Sequence, residues 1–300
     1  MYAITGITGQ VGAQIADELL SAKLEVRAVL RDETKAAAWA ERGCEIALAS
    51  MADEAALTRA FGGAQAVFVL LPPIFDPSPG FDESRRHVAA LFAALEAARP
   101  RHVACLSTIG AQAEPENLLT QLQIMESTLG ALPMPVAFLR AAWFMENVAW
   151  DVDGARTSGV LPTFLQPIDK PVPMIATADV AHAAAQLLQE TWEGRRIVEL
   201  EGPERVTPRQ LAVELGRVIG REVVARPVPR ATWESAFKSQ GMNNPQPRIR
   251  MLEGFNEGWI EFESEPSHTR KGVTPLQIVL RRLIRTDSGS AFADHPIATQ

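Results

Sequence analysis

Gly6-Ile7-Thr8-Gly9-Gln10-Val11-Gly12 follows directly on an apolar run, residues 2–6, and leads into a segment with Val11, Ile15 and Leu19 spaced four apart. The run predicts a strand and the spacing an amphipathic helix, so the glycines fall in a strand-to-helix turn. Gly6 permits the tight turn, Gly9 lets backbone approach a bound phosphate, and Gly12 lets the helix pack against the sheet. The helix N-terminus adds free N–H groups and a partial positive charge. Three spaced glycines alone are a common pattern; their place between strand and helix gives them meaning. The stretch predicts a dinucleotide-binding turn, with Gly6, Thr8, Gly9, Gln10 and Val11 around a pyrophosphate.

Further strands are expected at 25–30, 45–49, 66–71, 102–107 and 136–140. Several are apolar throughout rather than alternating, as in parallel strands covered on both faces. Helical segments lie between them, which predicts an α/β fold: a Rossmann-like, doubly wound parallel sheet with right-handed crossovers. Residues 1–150 form this domain. The segment 151–173 reads as loop, punctuated by Gly159, Pro162, Pro167, Pro171 and Pro173. A helix over 178–190 capped by Thr177, and a strand over 196–200, are expected to return to the sheet within 174–202. A helix over 207–219 has Thr207 as N-cap, Pro208 at its first position and Gly220 as its stop. Residues 151–173 and 203–285 are read as a smaller, mostly helical C-terminal substrate lobe, and 286–300 as a flexible tail.

Among 300 residues, 47% are apolar, enough for a substantial core, and the net charge of −7 argues against nucleic acid or an anionic membrane as partner. The basic cluster Arg281, Arg282 and Arg285 fits the wet face of a helix. Cys44 and Cys105 are isolated, which fits a reducing compartment and gives neither a disulfide framework nor a metal site. The first strand begins at Met1 or Tyr2, leaving no room for a signal peptide, and no apolar run reaches the roughly 18 residues of a membrane span. A soluble, cytoplasmic protein is expected. A homodimer is left open.

The end of the second strand bears on the choice of cofactor. A carboxylate there binds the adenosine ribose 2′-hydroxyl, whereas arginine accepts a 2′-phosphate. The sequence reads Ala28-Val29-Leu30-Arg31-Asp32, with Lys35 one turn on. Arg31 and Lys35 together can surround a dianionic phosphate, which favours NADP(H). Asp32 keeps the ribose contact as an alternative.

The opening ITGITGQVG, VRAVLRD, the LLPP after the fourth strand, FLRAAWFMEN after the sixth, and the late GFNEGWIEFE and VTPLQIVL resemble the NmrA-like atypical short-chain dehydrogenases over residues 1–285. Members include quinone reductases, triphenylmethane dye reductases and cofactor-sensing regulators without turnover. The resemblance implies a nicotinamide over the ends of strands four to six, near Leu71, Pro72, Ser107, Thr108 and the segment 143–147, with Trp143 and Phe144 among its contacts. It implies an adenine near Ser50 and Met51. Ser50 departs from the family's usual aspartate, and Ala141-Ala142 from its usual Pro-Gly.

Ordinary short-chain dehydrogenases use a tyrosine acid with a lysine four residues on. The only tyrosine here is Tyr2, inside the first strand, and no lysine occurs between Lys35 and Lys170. That excludes the usual alcohol–ketone mechanism. Hydride transfer to a quinone or an extended cation needs less help, since the product takes its proton from water and the cofactor carries the chemistry. The expected function is NADPH-dependent reduction of a flat, electron-poor, aromatic small molecule. The alternative is a non-catalytic NADP(H) sensor acting through a protein partner. Ser107, Thr108 and Glu126 are the catalytic candidates; for Glu126 a structural role is the plainer reading. Gln121 and Gln123 read more simply as solvated helix residues. Trp143, Phe144 and Trp150 fit either a pocket wall or core, and Phe255, Asn256 and Trp259 are candidates to close the same cleft. His87, His102 and His182 lack partnering acids at metal spacing and read as structural.

Overall fold

The computed structural model describes residues 1–265 and 267–287. The first half alternates strands and helices: β1 (Tyr2–Thr5), α1 (Gln10–Ser21), β2 (Val26–Leu30), α2 (Ala36–Glu41), β3 (Glu45–Leu48), α3 (Glu54–Phe61), β4 (Ala66–Val69), α4 (Asp82–Ala98), β5 (His102–Thr108), α5 (Thr120–Leu129) and β6 (Val136–Ala141). The second half comprises β7 (Trp143–Phe144), α6 (Val152–Ser158), β8 (Val160–Thr163), β9 (Met174–Ile175), α7 (Thr177–Leu187), β10 (Arg195–Glu201), α8 (Pro208–Ile219), β11 (Val224–Pro227), α9 (Trp233–Ser239), α10 (Gln246–Glu257), β12 (Arg270–Lys271) and α11 (Leu276–Asp287).

Eight of these strands make one sheet in the order β12-β10-β6-β5-β4-β1-β2-β3, every pair parallel. Successive side chains alternate between its faces. In β4, Val67 and Val69 join Phe61, Leu91 and Phe138 under α3, α4 and α5, while Ala66 and Phe68 join Ile4, Ile15 and Leu19 under α1 and α7. Both faces are thus covered, which is why β1 and β4 carry no polar alternation. The chain leaves β1 for β2 on one side and reaches β4 on the other. The order reverses there, and the crevice between the ends of β1 and β4 is where such sheets hold ligands.

The second half holds elements its sequence does not predict. Residues 151–173, expected as loop, contain α6 and β8. Helix α6 has only seven residues, Gly154 among them, and β8 carries Pro162. Strand β8 pairs only with β11 in a two-stranded sheet, where an edge position tolerates proline. The two-residue β12 adds itself to the main sheet beside β10. Thr177 is the first residue of α7, not its cap; Ala176 holds the cap position. Helix α8 matches expectation: Thr207 and Gln210 form a reciprocal capping box, and Gly220 ends it at φ +78°. The tail expected from Thr286 lies, past Asp287, outside the described residues.

One polar clamp ties α5 to the sheet. Glu126, 3% exposed, accepts from Arg140 Nε at 2.9 Å and Nη2 at 2.8 Å, from Arg195 Nη2 at 3.1 Å and from Ser107 Oγ at 2.6 Å. Arg140 also meets Glu263 at 2.8 Å and Glu199 at 3.5 Å. A bidentate pair this buried is costly to break, because the partner left behind stays desolvated. Glu126→Ala is expected to lower unfolding free energy by about 3 kcal/mol, the low end of the usual 3–5 because Glu199 and Glu263 still face Arg140. Urea denaturation checks this; a change below about 0.5 kcal/mol, the ordinary range of surface substitutions, would refute the clamp.

Candidate cofactor and substrate site

Thr5 closes β1 with a buried hydroxyl that donates to Phe68 O at 3.1 Å and accepts from Leu70 N at 2.8 Å, locking the ends of β1 and β4 together. Gly6 then turns the chain at φ +63°. Gly9 N donates to Gly6 O at 3.0 Å and α1 begins at Gln10, with no side chain capping its N–H groups. At Gly12 a Cβ would lie 2.3 Å from Gly6 O, so only glycine lets α1 descend this far. Thr8, Gly9 and Gln10 are exposed at the crevice. Val11 is buried, so what it offers a ligand is its backbone N–H. The turn is an electropositive cradle of peptide groups, suited to a pyrophosphate.

Arg31 and Lys35 flank the same end of the sheet, both exposed and neither ion-paired among the described residues. Asp32 is engaged locally: its Oδ1 accepts from Thr34 Oγ1 at 2.6 Å and from Thr34 N at 3.0 Å, bonds that lower its pKa. Its carboxylate serves as N-cap of the turn Glu33–Lys35. Met51 is half-buried against the core of the α3–α5 face, and Leu71 is buried in that core, while Pro72 stays half-buried.

The polar candidates divide by environment. Ser107 and Glu126 are brought together, but in the clamp beneath the sheet end, with the Ser107 proton donated to Glu126. Thr108 donates to Ile109 O at 3.1 Å. Gln121 is not a solvated residue. It is buried, donates to Leu118 O and Ile74 O, and accepts from Ser84 Oγ at 3.3 Å. Half-buried Gln123 donates to Ala113 O at 3.4 Å. Among the histidines, His182 has an acid after all, with Nδ1 3.0 Å from Glu18 Oε2, and His102 Nε2 lies 3.0 Å from Leu188 O. Among the described residues no three His, Cys, Asp or Glu side chains are grouped to hold a metal ion.

Glu146, which sequence reasoning placed only within the segment 143–147, emerges beside the glycine turn. Its Oε1 accepts from Thr177 N at 2.9 Å and from Thr177 Oγ1 at 2.8 Å, and Gln10 Oε1 lies 3.5 Å from the same hydroxyl. Its Oε2 is buried without a partner among the described residues. Burial, with Asp179 adding to it, holds this carboxyl above the usual range. The signal for it was the threonine at the start of α7, which reads from sequence as a cap.

The aromatic candidates differ in burial, with Trp143 and Phe144 packed against the core. Half-buried Trp143 meets Phe255 edge-on at 5.3 Å, and Trp150, 55% exposed, meets Phe75 of the loop after β4 at 6.2 Å. Phe255 itself is buried in the core, at 5% exposure. Asn256 instead binds Phe164 O and Gln166 N, and the Trp259 indole donates to Glu257. A separate surface groove of about 570 Å³ between α8 and β11 contains none of these residues. No helix among the described residues is long and apolar enough to cross a membrane.

A family model described as NAD(P)H-binding matches residues 6–191. The (4-alkanoyl-5-oxo-2,5-dihydrofuran-3-yl)methyl phosphate reductase of Streptomyces griseus is 34% identical over 224 residues, 74% of each chain. Quinone oxidoreductase 2 of Escherichia coli is 29% identical over 244 residues, 81% of this chain and 82% of that one. The solved structure of that NADPH-dependent enzyme with NADPH superimposes with a TM-score of 0.78 at 26% identity, over 95% of this chain and all of the other. The triphenylmethane reductase of Citrobacter sp., complexed with NADP(H), shares the fold with a TM-score of 0.76 at 21% identity, over 94% and 99%. With a glycine turn, a family match and a curated relative in agreement, the chain belongs to the NAD(P)H-binding family, in its NmrA-like branch of atypical short-chain dehydrogenases, as an NAD(P)H-dependent oxidoreductase.

Proposed function

We propose that the chain transfers hydride from NADPH to a flat, electron-poor acceptor such as a quinone or dye, without a tyrosine–lysine pair. The observation that carries this reading is how the cleft is equipped. The single tyrosine, Tyr2, is buried in β1 at 5% exposure, and Ser107 and Glu126 are consumed by each other and by Arg140. The side chains left beside them are the rings of Trp143 and Phe144 and the carboxyl of Glu146, none of them a tyrosine–lysine pair. Such a site orients a planar molecule and excludes water but offers little acid–base help. The relatives' names, a quinone oxidoreductase and reductases of a furanone phosphate and of triphenylmethane, describe conjugated acceptors.

The residues present fit the dinucleotide: a helix N-terminus with no side-chain cap and a turn in which a side chain at Gly12 would collide with backbone, with Glu146 linked to Gln10 through the Thr177 hydroxyl. When bound, the reduced nicotinamide supplies the hydride. The N–H groups of Gln10, Val11 and Gly12 would hold the pyrophosphate, and Arg31 with Lys35 would flank a 2′-phosphate. Glu146, tied to the turn through Thr177, would offer a carboxyl oxygen to the cofactor, and Trp143 and Phe144 would flank the acceptor. A quinone gaining one hydride becomes a hydroquinone anion, which takes its second proton from water.

Mixing the purified protein with NADPH and a panel of quinones is expected to oxidise NADPH well above background. Tight NADPH binding with no such oxidation would overturn the reading. Asp32 being held by Thr34 leaves Arg31 as the group facing the phosphate. Arg31→Glu is therefore expected to raise the Kd for NADPH by about a hundredfold, the ~3 kcal/mol scale of a charge-assisted contact, and that for NADH far less. Equal losses for both would show that Arg31 does not read the phosphate.

A further inference from the structure

Helix α10 presents Arg248, Leu252 and Phe255 at i, i+4 and i+7, one stripe of the helix. Phe255 marks the inner end of that stripe through its contact with Trp143. Arg248 lies seven residues nearer the N-terminus, about 10 Å along the axis. Phe237, Met242 and Asp151 are its neighbours, and the segments of the last two adjoin the loop after β4. Trp150 and Asp151 end the turn that carries Glu146; Phe75 and Asp76 belong to the loop after β4; Met242, Asn243 and Asn244 precede α10. Asp76 accepts from Asn243 N and Nδ2 and from Asn244 N, fastening the last two segments together.

The charge on Arg248 is poorly answered. Its guanidinium stacks 4.5 Å from the Phe237 ring centroid, and among the described residues its one hydrogen bond is to Met242 Sδ at 3.7 Å. Among the described residues no carboxylate lies within 4 Å of it, while Arg250 on the same helix and nearby Arg230 share Glu253. Asp151 is its nearest electrostatic partner, and burial pushes that carboxyl up to about 6. Arg248 also stands in the first turn of α10, where the helix dipole opposes a positive charge. A half-buried guanidinium so placed is costly unless an anion completes it.

We propose that Arg248 binds an anionic substituent of the acceptor, a carboxylate, sulfonate or phosphate carried on an arm away from the ring that receives hydride. This rests on the reductase reading above and narrows its substrate class. The test compares a 1,4-naphthoquinone bearing a 4-carboxybutyl arm with its methyl ester, of equal reach and no charge. The wild-type kcat/KM is expected to favour the acid by about tenfold, mainly through KM, as one charge-assisted contact gives. Arg248→Gln, or Arg248→Met, which keeps an unbranched stem over Phe237, is expected to bring that ratio to about one; Arg248→Lys is expected to keep part of it. A wild-type ratio of one, or a ratio unchanged in the Gln and Met variants, overturns the proposal. A second arm needs no turnover: calorimetric binding of naphthalene-pentanoate and its methyl ester to the NADP⁺-loaded protein. Reduction of acid and ester at equal efficiency leaves the reductase reading and removes the anion site. Arg248-dependent preference for naphthalene-pentanoate without any quinone reduction does the reverse.

Discussion

The binding half of the molecule depends on one close approach, that of the Gly12 backbone to Gly6 O. Strand β1 is held on both sides, by β2 and by β4, and Thr5 fastens its end. The chain must therefore reverse within the glycine turn and bring α1 down onto the sheet without moving β1. A Cβ at Gly12, 2.3 Å from Gly6 O, would lift the helix and swing its N-terminus away from the crevice. The electropositive spot is thus a product of backbone packing. It explains how a chain of net charge −7 can receive a polyanion. At physiological ionic strength charges act over only about 8 Å, so the helix N-terminus with Arg31 and Lys35 governs the local field.

Much of this was legible because the first half obeys simple periodicities. Wholly apolar runs marked β1 and β4 as strands covered on both faces, and Thr207, Pro208 and Gly220 marked the ends of α8 through the chemistry of its own termini. The second half was legible less often. Strand β8 hides behind Pro162, and its only neighbour, β11, lies more than sixty residues away. Strand β12 is two residues long and owes its existence to the edge of β10. Such elements are made by tertiary pairing, which local pattern does not encode.

The polar residues show the same limit more sharply. Glu126, Glu146 and Asp151 look alike in a sequence: acids on short amphipathic segments. The fold sorts them by neighbours. Glu126 meets Arg140 and Arg195, the latter 69 residues away, and becomes a clamp. Glu146 meets Thr177 with one oxygen and leaves the other unpartnered beside the cofactor turn. Asp151 has only the distant charge of Arg248 to offset its burial. Gln121 follows the same rule: on a helix it reads as solvated, but the loops at Ile74 and Leu118 close over it.

The lack of a tyrosine–lysine pair need not mean a weak catalyst for the proposed acceptors. A positioned proton donor contributes about 10²–10⁴-fold, some 3–5 kcal/mol, and mainly where the acceptor is a poor electrophile. Holding two reactants in near-attack geometry is worth about 7–11 kcal/mol, and a conjugated acceptor needs little else. A site of the proposed kind, flanked by aromatic rings, spends its structure on the larger effect. Trp143 and Phe255 are locked edge-on at 5.3 Å, and Lys170 donates to the carbonyls of Phe255 and Asn256 at the end of α10. The rings are therefore held by the frame of the second lobe instead of by the substrate, and their orientation is set before the acceptor arrives. By this account specificity should reside where the wall departs from apolar character, and on α10 that departure is Arg248.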